Sequence, residues 1–225
     1  GVLSGFYHQI PVAHVEAGLR TYNLNRPFPE EGLRQMIGRI ASFHFPPTSR
    51  AAKALEREGV SPQKIMVTGN TVVDAQLWAC AQHDIRRRLV GKGHLLVTMH
   101  RRENWGADVE HACAAVADIA NICLTEPLDY LAMQQALADA WLVLSDSGGL
   151  QEEAPTFKVP VLVLREETER PEVLDAGCAL LVGTNRDLIV KTVRRLMTDD
   201  VAYRRMQAPS NPFGDGMAGQ QIADR

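Results

Sequence analysis

The chain has 225 residues, enough for one large domain or two modest ones. A 45% hydrophobic, 23% charged composition is that of a globular protein, and a net charge of −3 gives no reason to expect nucleic acid or a membrane as partner. No apolar run approaches the ~18 residues a membrane helix needs. The cysteines at 80, 113, 123 and 178 lack ligand spacing, so reduced, mostly buried thiols and a cytoplasmic protein are expected.

In chain order, Gly1–Ile10 reads as the tail of a helix, and the chain opens in mid-stride without a Met. Pro11–His14 is a short strand with Glu16-Ala17-Gly18-Leu19-Arg20 at its C-terminal end, the end where open α/β sheets place ligand groups. After an irregular loop, Pro29-Glu30-Glu31 starts a helix with proline ahead of two acids, and Leu33, Met36, Ile37 and Ile40 give it an apolar face. His44–Pro46 is a strand remnant, and Thr48 is placed to cap a helix over 49–58. Lys64–Thr68 is a strand, and Gly69-Asn70-Thr71 turns into a helix over 72–83. Arg86–Arg88 reads as a solvated linker face, and the domain boundary is placed in Asp84–Lys92. In the second half the expected strands are His94–Thr98, Ile122–Leu124, Trp141–Leu144, Val159–Leu164 and Ala179–Val182. The expected helices there are 108–120, 128–140, a short one opened by residues 166–172, 186–197 and 201–207, and a last helix runs from Met217 onward. Strands alternating with helices imply parallel sheets with helices on both faces.

The stretch with most chemical content is Trp141–Pro155. An apolar strand feeds Ser145-Asp146-Ser147-Gly148-Gly149, and a helix starts at once. Glycines let backbone N–H groups approach an anion, and the helix dipole favours negative charge there. Glu152 and Glu153 just beyond suit a ribose diol, since a carboxylate accepts two hydroxyl hydrogen bonds. The parts describe a nucleotide pocket; a Gly-rich turn with no ligand is the plain alternative. Glu16 and Glu30 can converge to share acid and base duties, whereas Glu30 as a helix-dipole partner paired with Arg34 is the simpler account. His100-Arg101-Arg102 at a strand end suits a pyrophosphate, because guanidinium grips phosphate oxygens in a fork, or it is only a surface loop. Arg170 in Glu169-Arg170-Pro171-Glu172 can reach a nucleotide or pair with a neighbouring Glu. Histidines 8, 44, 83, 94 and 111 have no metal spacing.

Eight stretches then line up with one family in order: His14-Val15-Glu16-Ala17-Gly18-Leu19-Arg20, Pro27-Phe28-Pro29-Glu30-Glu31, Gly69-Asn70-Thr71, His100-Arg101-Arg102-Glu103-Asn104, Asp146-Ser147-Gly148-Gly149, Gln151-Glu152-Glu153-Ala154-Pro155, Glu169-Arg170-Pro171-Glu172 and Asn211-Pro212-Phe213-Gly214-Asp215-Gly216. The chain resembles the non-hydrolysing UDP-N-acetylglucosamine 2-epimerases. The resemblance implies an α/β fold of two Rossmann-like domains with an interdomain cleft, as in the GT-B glycosyltransferases. Residues 1–85 would be the later part of the first domain, 86–209 the UDP-binding domain, and 210–225 a helix returning to the first. It implies interconversion of UDP-GlcNAc and UDP-ManNAc by elimination of UDP, exchange of the C2 proton and re-addition, without metal or nicotinamide cofactor, in a homodimer. Glu16 and Glu30 match the family's catalytic carboxylates, Arg34 the Arg after them, and His100 its active-site His flanked by Arg101 and Arg102. Ser147, Gly148 and Gly149 match the phosphate turn, Glu153 the ribose carboxylate and Arg170 the nucleotide-side Arg. A UDP-binding module without catalysis, a GT-B glycosyltransferase and a hydrolysing epimerase are the rival readings.

The sequence also departs from the family. Members carry a strand, a Gly-Thr-Arg-Pro-Glu loop and a catalytic Asp ahead of the position of Gly1. Leu33 stands where many have Asn. Between Ala120 and Ile122 members have a further strand and helix with a His-x-Asn-Pro motif. A first domain incomplete at its front and an absent internal segment are therefore expected.

Overall fold

The computed structural model describes residues 1–25, 27–88, 91–100, 106–119, 122–207 and 209–225. They pack as two compact units, one of Gly1–Ala75 with Phe213–Arg225, the other of Gln76–Pro212.

In the first unit, α1 (Val2–Tyr7) leads to β1 (Ala13–Val15), and after a loop come α2 (Glu30–Ile40), β2 (Phe43–Phe45) and α3 (Ser49–Arg57). β1 and β2 pair in parallel, Ala13 opposite Phe43, His14 opposite His44 and Val15 opposite Phe45. Thr48 caps α3 as expected, its hydroxyl accepting the N–H of Ala51 at 3.2 Å. The strand expected over Lys64–Thr68 shrinks to one bridge, Ile65 beside His44. The N–H groups of Met66 and Thr68 still reach the carbonyls of His44 and Pro46, but with no partner strand on the far side among the described residues the ladder does not extend. α2 also differs from expectation. Leu33 and Met36 are half exposed, and the residues it buries are Glu31 and Gly38. The division between the units falls inside α4 (Thr71–Gln82). In its first turn Asp74 accepts the N–H groups of Ala218 and Gly219 at the start of α11 (Ala218–Ala223).

The second unit holds one parallel sheet in the order β3 (Leu95–Thr98), β4 (Leu142–Ser145), β5 (Val161–Val163), β6 (Ala179–Leu181). Its helices are α5 (Ala107–Ala117), α6 (Tyr130–Asp139), α7 (Gly148–Glu153), α8 (Pro171–Asp175), α9 (Arg186–Thr198) and α10 (Asp200–Arg205). β4 and β5 are buried along their whole length, as near-continuous Val/Leu runs require in a parallel sheet. Leu142, Leu144, Leu162 and Leu164 meet Ile189, Val193 and Leu196 of α9 and Ala112 and Ala115 of α5 in one core. Among the described residues no helix is long and apolar enough to cross a membrane.

Three further expectations fail here. Ile122–Leu124 is not a strand: residues 122–129 carry no regular structure, and Leu124 is 94% exposed. β3 is the edge strand of the sheet, yet no described residue pairs with its outer side, so three apolar residues gain no ladder there. Arg86–Arg88 is not merely a solvated face, because Arg87 donates to the carbonyls of Ala138 and Ala140 at the C-terminal end of α6. Cys80 and Cys178 are buried thiols, but Cys113 and Cys123 are exposed.

Candidate functional site

In the first unit the chain leaves β1 through a strained turn. Glu16 sits at φ +58°, a left-handed conformation that costs a side-chain-bearing residue about 1–2 kcal/mol. Gly18 follows at φ +86°, and a Cβ there would lie 2.2 Å from the Ala51 carbonyl oxygen, so only glycine lets this turn rest on α3. Ala17 and Leu19 are buried while Glu16 stays exposed, so the turn is anchored immediately after a carboxylate held in solvent. Strain at an exposed charged residue is a pointer to function.

Glu30 is the first residue of α2 and is exposed, and Arg34 lies one turn on, partly buried. The positive charges of Arg20 and Arg34 both act on His14. Burial, with His44 and then these two arginines, pulls the His14 imidazole down to about 4, so it is neutral near pH 7. His44 is lowered too, by burial first. The rings lie 6.2 Å apart edge to face, with both Nδ1 atoms buried and unpartnered.

In the second unit the turn at 145–149 follows β4 into α7 and lies beside the C-terminal end of the parallel strand β3. Thr98 and Ser145, opposite in register, bond through their hydroxyls at 2.7 Å, and the Ser145 hydroxyl accepts the N–H of Ser147 at 3.0 Å. Asp146, fully buried, accepts the backbone N–H of His100 on both oxygens at 3.2 Å, and its carboxylate stands 3.5 Å from His100 Nδ1. His100 is thus brought to the turn by Asp146. Arg101 and Arg102 lie outside the described residues.

Ser147 caps α7, and its carbonyl accepts the Gln151 amide. Gly148 is required by Arg170: a Cβ would lie 2.9 Å from the guanidinium carbon and from Nη1. Arg170 in turn bonds Glu152 through Nε at 2.8 Å and Glu169 through Nη1 at 3.1 Å. Of the two alternatives read for Arg170, the pairing with neighbouring glutamates is what forms, and the paired guanidinium stands against Gly148. At Gly149 a Cβ would meet only the Ser147 hydroxyl, at 3.9 Å.

Glu153 faces the other way. Its carboxylate accepts the buried Gln134 amide at 2.5 Å, and its carbonyl accepts Gln76 Nε2, which also reaches Gln134. Burial pushes the Glu153 carboxyl up against the opposing effect of that Gln134 bond. Cys80 of α4 and Tyr130 of α6 share its surroundings, and burial, the Glu153 charge and Cys80 push the Tyr130 phenol up to about 12. Two groupings result: Gly148, Arg170 and Glu152 on one face of α7, and Glu153, Gln134 and Gln76 on another.

Sequence reasoning assigned no role to Glu31, Asp146, Gln134 or Gln76. Asp146 and Glu31 stood inside recognised motifs, where each follows or precedes a more obvious candidate. Nothing in the spacing of Gln76 and Gln134, 58 residues apart, signals a shared hydrogen bond.

The family model described as UDP-N-acetylglucosamine 2-epimerase matches residues 1–122 and 114–225. The chain is 44% identical over 262 residues to the UDP-N-acetylglucosamine 2-epimerase of Yersinia pestis, covering 98% of this chain and 70% of the relative. It is 41% identical over 264 residues to that of Escherichia coli K12, covering 99% and 70%. Among solved structures, the Neisseria meningitidis UDP-GlcNAc 2-epimerase bound to UDP-GlcNAc superposes with a TM-score of 0.89 at 33% identity, over 99% of this chain and 71% of the other. The Methanocaldococcus jannaschii enzyme in complex with UDP-GlcNAc and UDP gives 0.83 at 33%, over 100% and 71%. With the parallel sheets, these likenesses bear out the GT-B-like, Rossmann-like class. The alignment to the Yersinia relative spans 262 columns against 98% of 225 residues, so the relative carries about forty residues with no counterpart here. The two family matches meet at 114–122, where an internal segment was expected to be absent. The chain belongs to the UDP-N-acetylglucosamine 2-epimerase family.

Proposed function

We propose that the protein interconverts UDP-N-acetylglucosamine and UDP-N-acetylmannosamine at C2. The C1–O bond to UDP breaks as the C2 proton is removed, giving a 2-acetamidoglucal. A proton then returns to the opposite face of C2, and UDP adds back at C1. The net change is an inversion with no electron gained or lost, so the chemistry needs proton donors and acceptors and a held diphosphate. Glu16 and Glu30 serve as acid and base, with Arg34 beside them. His100 is the active-site histidine, Arg101, Arg102, Arg170 and the turn Ser147-Gly148-Gly149 hold the diphosphate, and Glu153 holds the ribose. Domains at 1–85, 86–209 and 210–225, a cytoplasmic homodimer and a place in cell-surface polysaccharide precursor synthesis complete the reading.

The observation that carries it is the meeting of His100, the 147–149 turn and Arg170 at adjacent strand ends in a chain of this family. The test is incorporation of solvent deuterium at C2 of UDP-GlcNAc. Glu16→Gln and Glu30→Gln are each expected to abolish it, and wild-type incorporation in both variants would remove the assignment.

A second reading is a UDP-binding module without turnover, favoured by the forty or so residues that relatives carry and this chain does not. Calorimetry with UDP, run beside an assay for UDP-ManNAc, separates the two. Release of free ManNAc and UDP would point instead to a hydrolysing enzyme.

A further inference from the structure

The segment between the strand that presents Glu16 and the helix that presents Glu30 is tied to that helix from both directions. From α2, the fully buried Glu31 carboxylate accepts the N–H of Thr21 at 3.0 Å on one oxygen. Its other oxygen accepts the N–H of Tyr22 at 3.1 Å and the Gln35 amide at 2.8 Å. From the segment, Arg20 forks onto Glu58 at 2.7 and 2.9 Å and reaches the carbonyl of Arg34 at 3.5 Å. The Arg20 side chain is 1% exposed and lies over Gly38 of α2, where a Cβ would come within 3.1 Å of Nη2. Gly38 is therefore the gap in the helix that admits this guanidinium.

A buried carboxylate is tolerated only when its lone pairs are filled. Burial pushes the Glu31 carboxyl up, yet the Thr21 N–H, the Gln35 amide, the Tyr22 N–H and the Arg20 charge together hold it below the usual carboxylate range. It is ionised near pH 7 and grips the segment through charge-assisted bonds. Glu16 and Glu30 are both exposed, so neither is fixed by its own packing. Their separation is set by what joins the backbones that carry them.

We propose that Glu31, supported by Arg20, is a positioning residue: it locks the segment following Glu16 to the first turn of α2 and so fixes Glu16 against Glu30 and Arg34. The tether is geometry; its effect on catalysis rests on the proposed function. Carboxylates working on one carbon need placement within a fraction of an ångström, and a displacement of about 1 Å can cost about 100-fold in rate.

The test uses Glu31→Gln in the full chain. Glutamine keeps the shape but turns an NH₂ toward one of the two backbone donors, so one tether is lost. Amide hydrogen exchange at Thr21 and Tyr22 should accelerate about tenfold or more. Exchange in β4 and affinity for UDP should not change. Deuterium incorporation at C2 should fall about 100-fold at unaltered KM for UDP-GlcNAc. Arg20→Lys, which keeps the charge and loses the fork, should move both readouts the same way by less; it serves if Glu31→Gln does not fold. Unaltered amide exchange overturns the tether. Faster exchange with unaltered incorporation, or a KM that rises as kcat holds, overturns the positioning role. A wild-type chain that binds UDP but incorporates no deuterium overturns the proposed function and the positioning role with it, while the amide result still judges the tether.

Discussion

Two adjacent glycines of the turn after β4 do different jobs, and a one-carbon change separates them. The Gly148 hydrogen faces a guanidinium that cannot easily retreat, because Glu152 and Glu169 hold Arg170. Gly148→Ala should destabilise by about 1–3 kcal/mol through overpacking and lower UDP affinity as Arg170 is pushed aside. Gly149→Ala meets only a hydroxyl at 3.9 Å and gains helix propensity worth up to about 1 kcal/mol, so its unfolding midpoint should hold or rise. Thermal melts and UDP calorimetry on the pair check this, and equal losses in both would show that Arg170 is free to move. At this scale the sequence was legible where chemistry has a signature. Glycines after a strand pointed to the turn, and Arg170 to a partner near it. That Gly148 exists because of Arg170, or that Gln134 holds Glu153, depends on which side chains the fold stacks, and no local pattern records that.

At the scale of elements, local rules worked where the signal lies inside the element. Pro29-Glu30-Glu31 opened α2, and Thr48 capped α3. Substituting the cap tests its share directly. Thr48 is buried, its hydroxyl accepts the Ala51 N–H, and the helix it starts buries Ala51, Ala52, Ala54 and Leu55. Thr48→Ala should cost about 1 kcal/mol and lower the melting temperature by roughly 2–4 °C, whereas Thr48→Ser should stay near wild type. A melt indifferent to both changes would mean that another acceptor satisfies the Ala51 N–H. Reading failed where an element depends on a distant partner. Lys64–Thr68 and Ile122–Leu124 have strand composition, but a strand exists only where a sheet edge receives it. The apolar stripe of α2 misled for a related reason. The helix buries a carboxylate and a glycine because its tightest contacts are the polar ties to Thr21, Tyr22 and Arg20, not a hydrophobic face.

At the scale of the whole molecule, the two units carry titratable groups of opposite sign. In the first unit His14 is held down to about 4, so the unfolded chain binds its proton first, near 6.5, and stability is lost as pH falls from about 6.5 to 4, by up to about 3 kcal/mol. His44 acts in the same direction, and Glu31, whose folded carboxyl lies below its unfolded value, loses its contribution as pH falls further. In the second unit Glu153 is pushed up by burial. A raised carboxyl destabilises at neutral pH and is relieved by acid. Acidification from pH 7 should therefore unfold residues 1–75 and 213–225 before residues 76–212. Of the three tryptophans, Trp78 and Trp141 fall in the second unit, and Trp105 lies outside the described residues. Tryptophan fluorescence should stay native-like between about pH 6 and 4.5 while far-UV circular dichroism loses the helices of the first unit. His14→Asn should shift the circular dichroism midpoint to lower pH and leave the fluorescence midpoint in place. Coincident midpoints by the two probes would show that the units unfold as one and that these charges do not set the order.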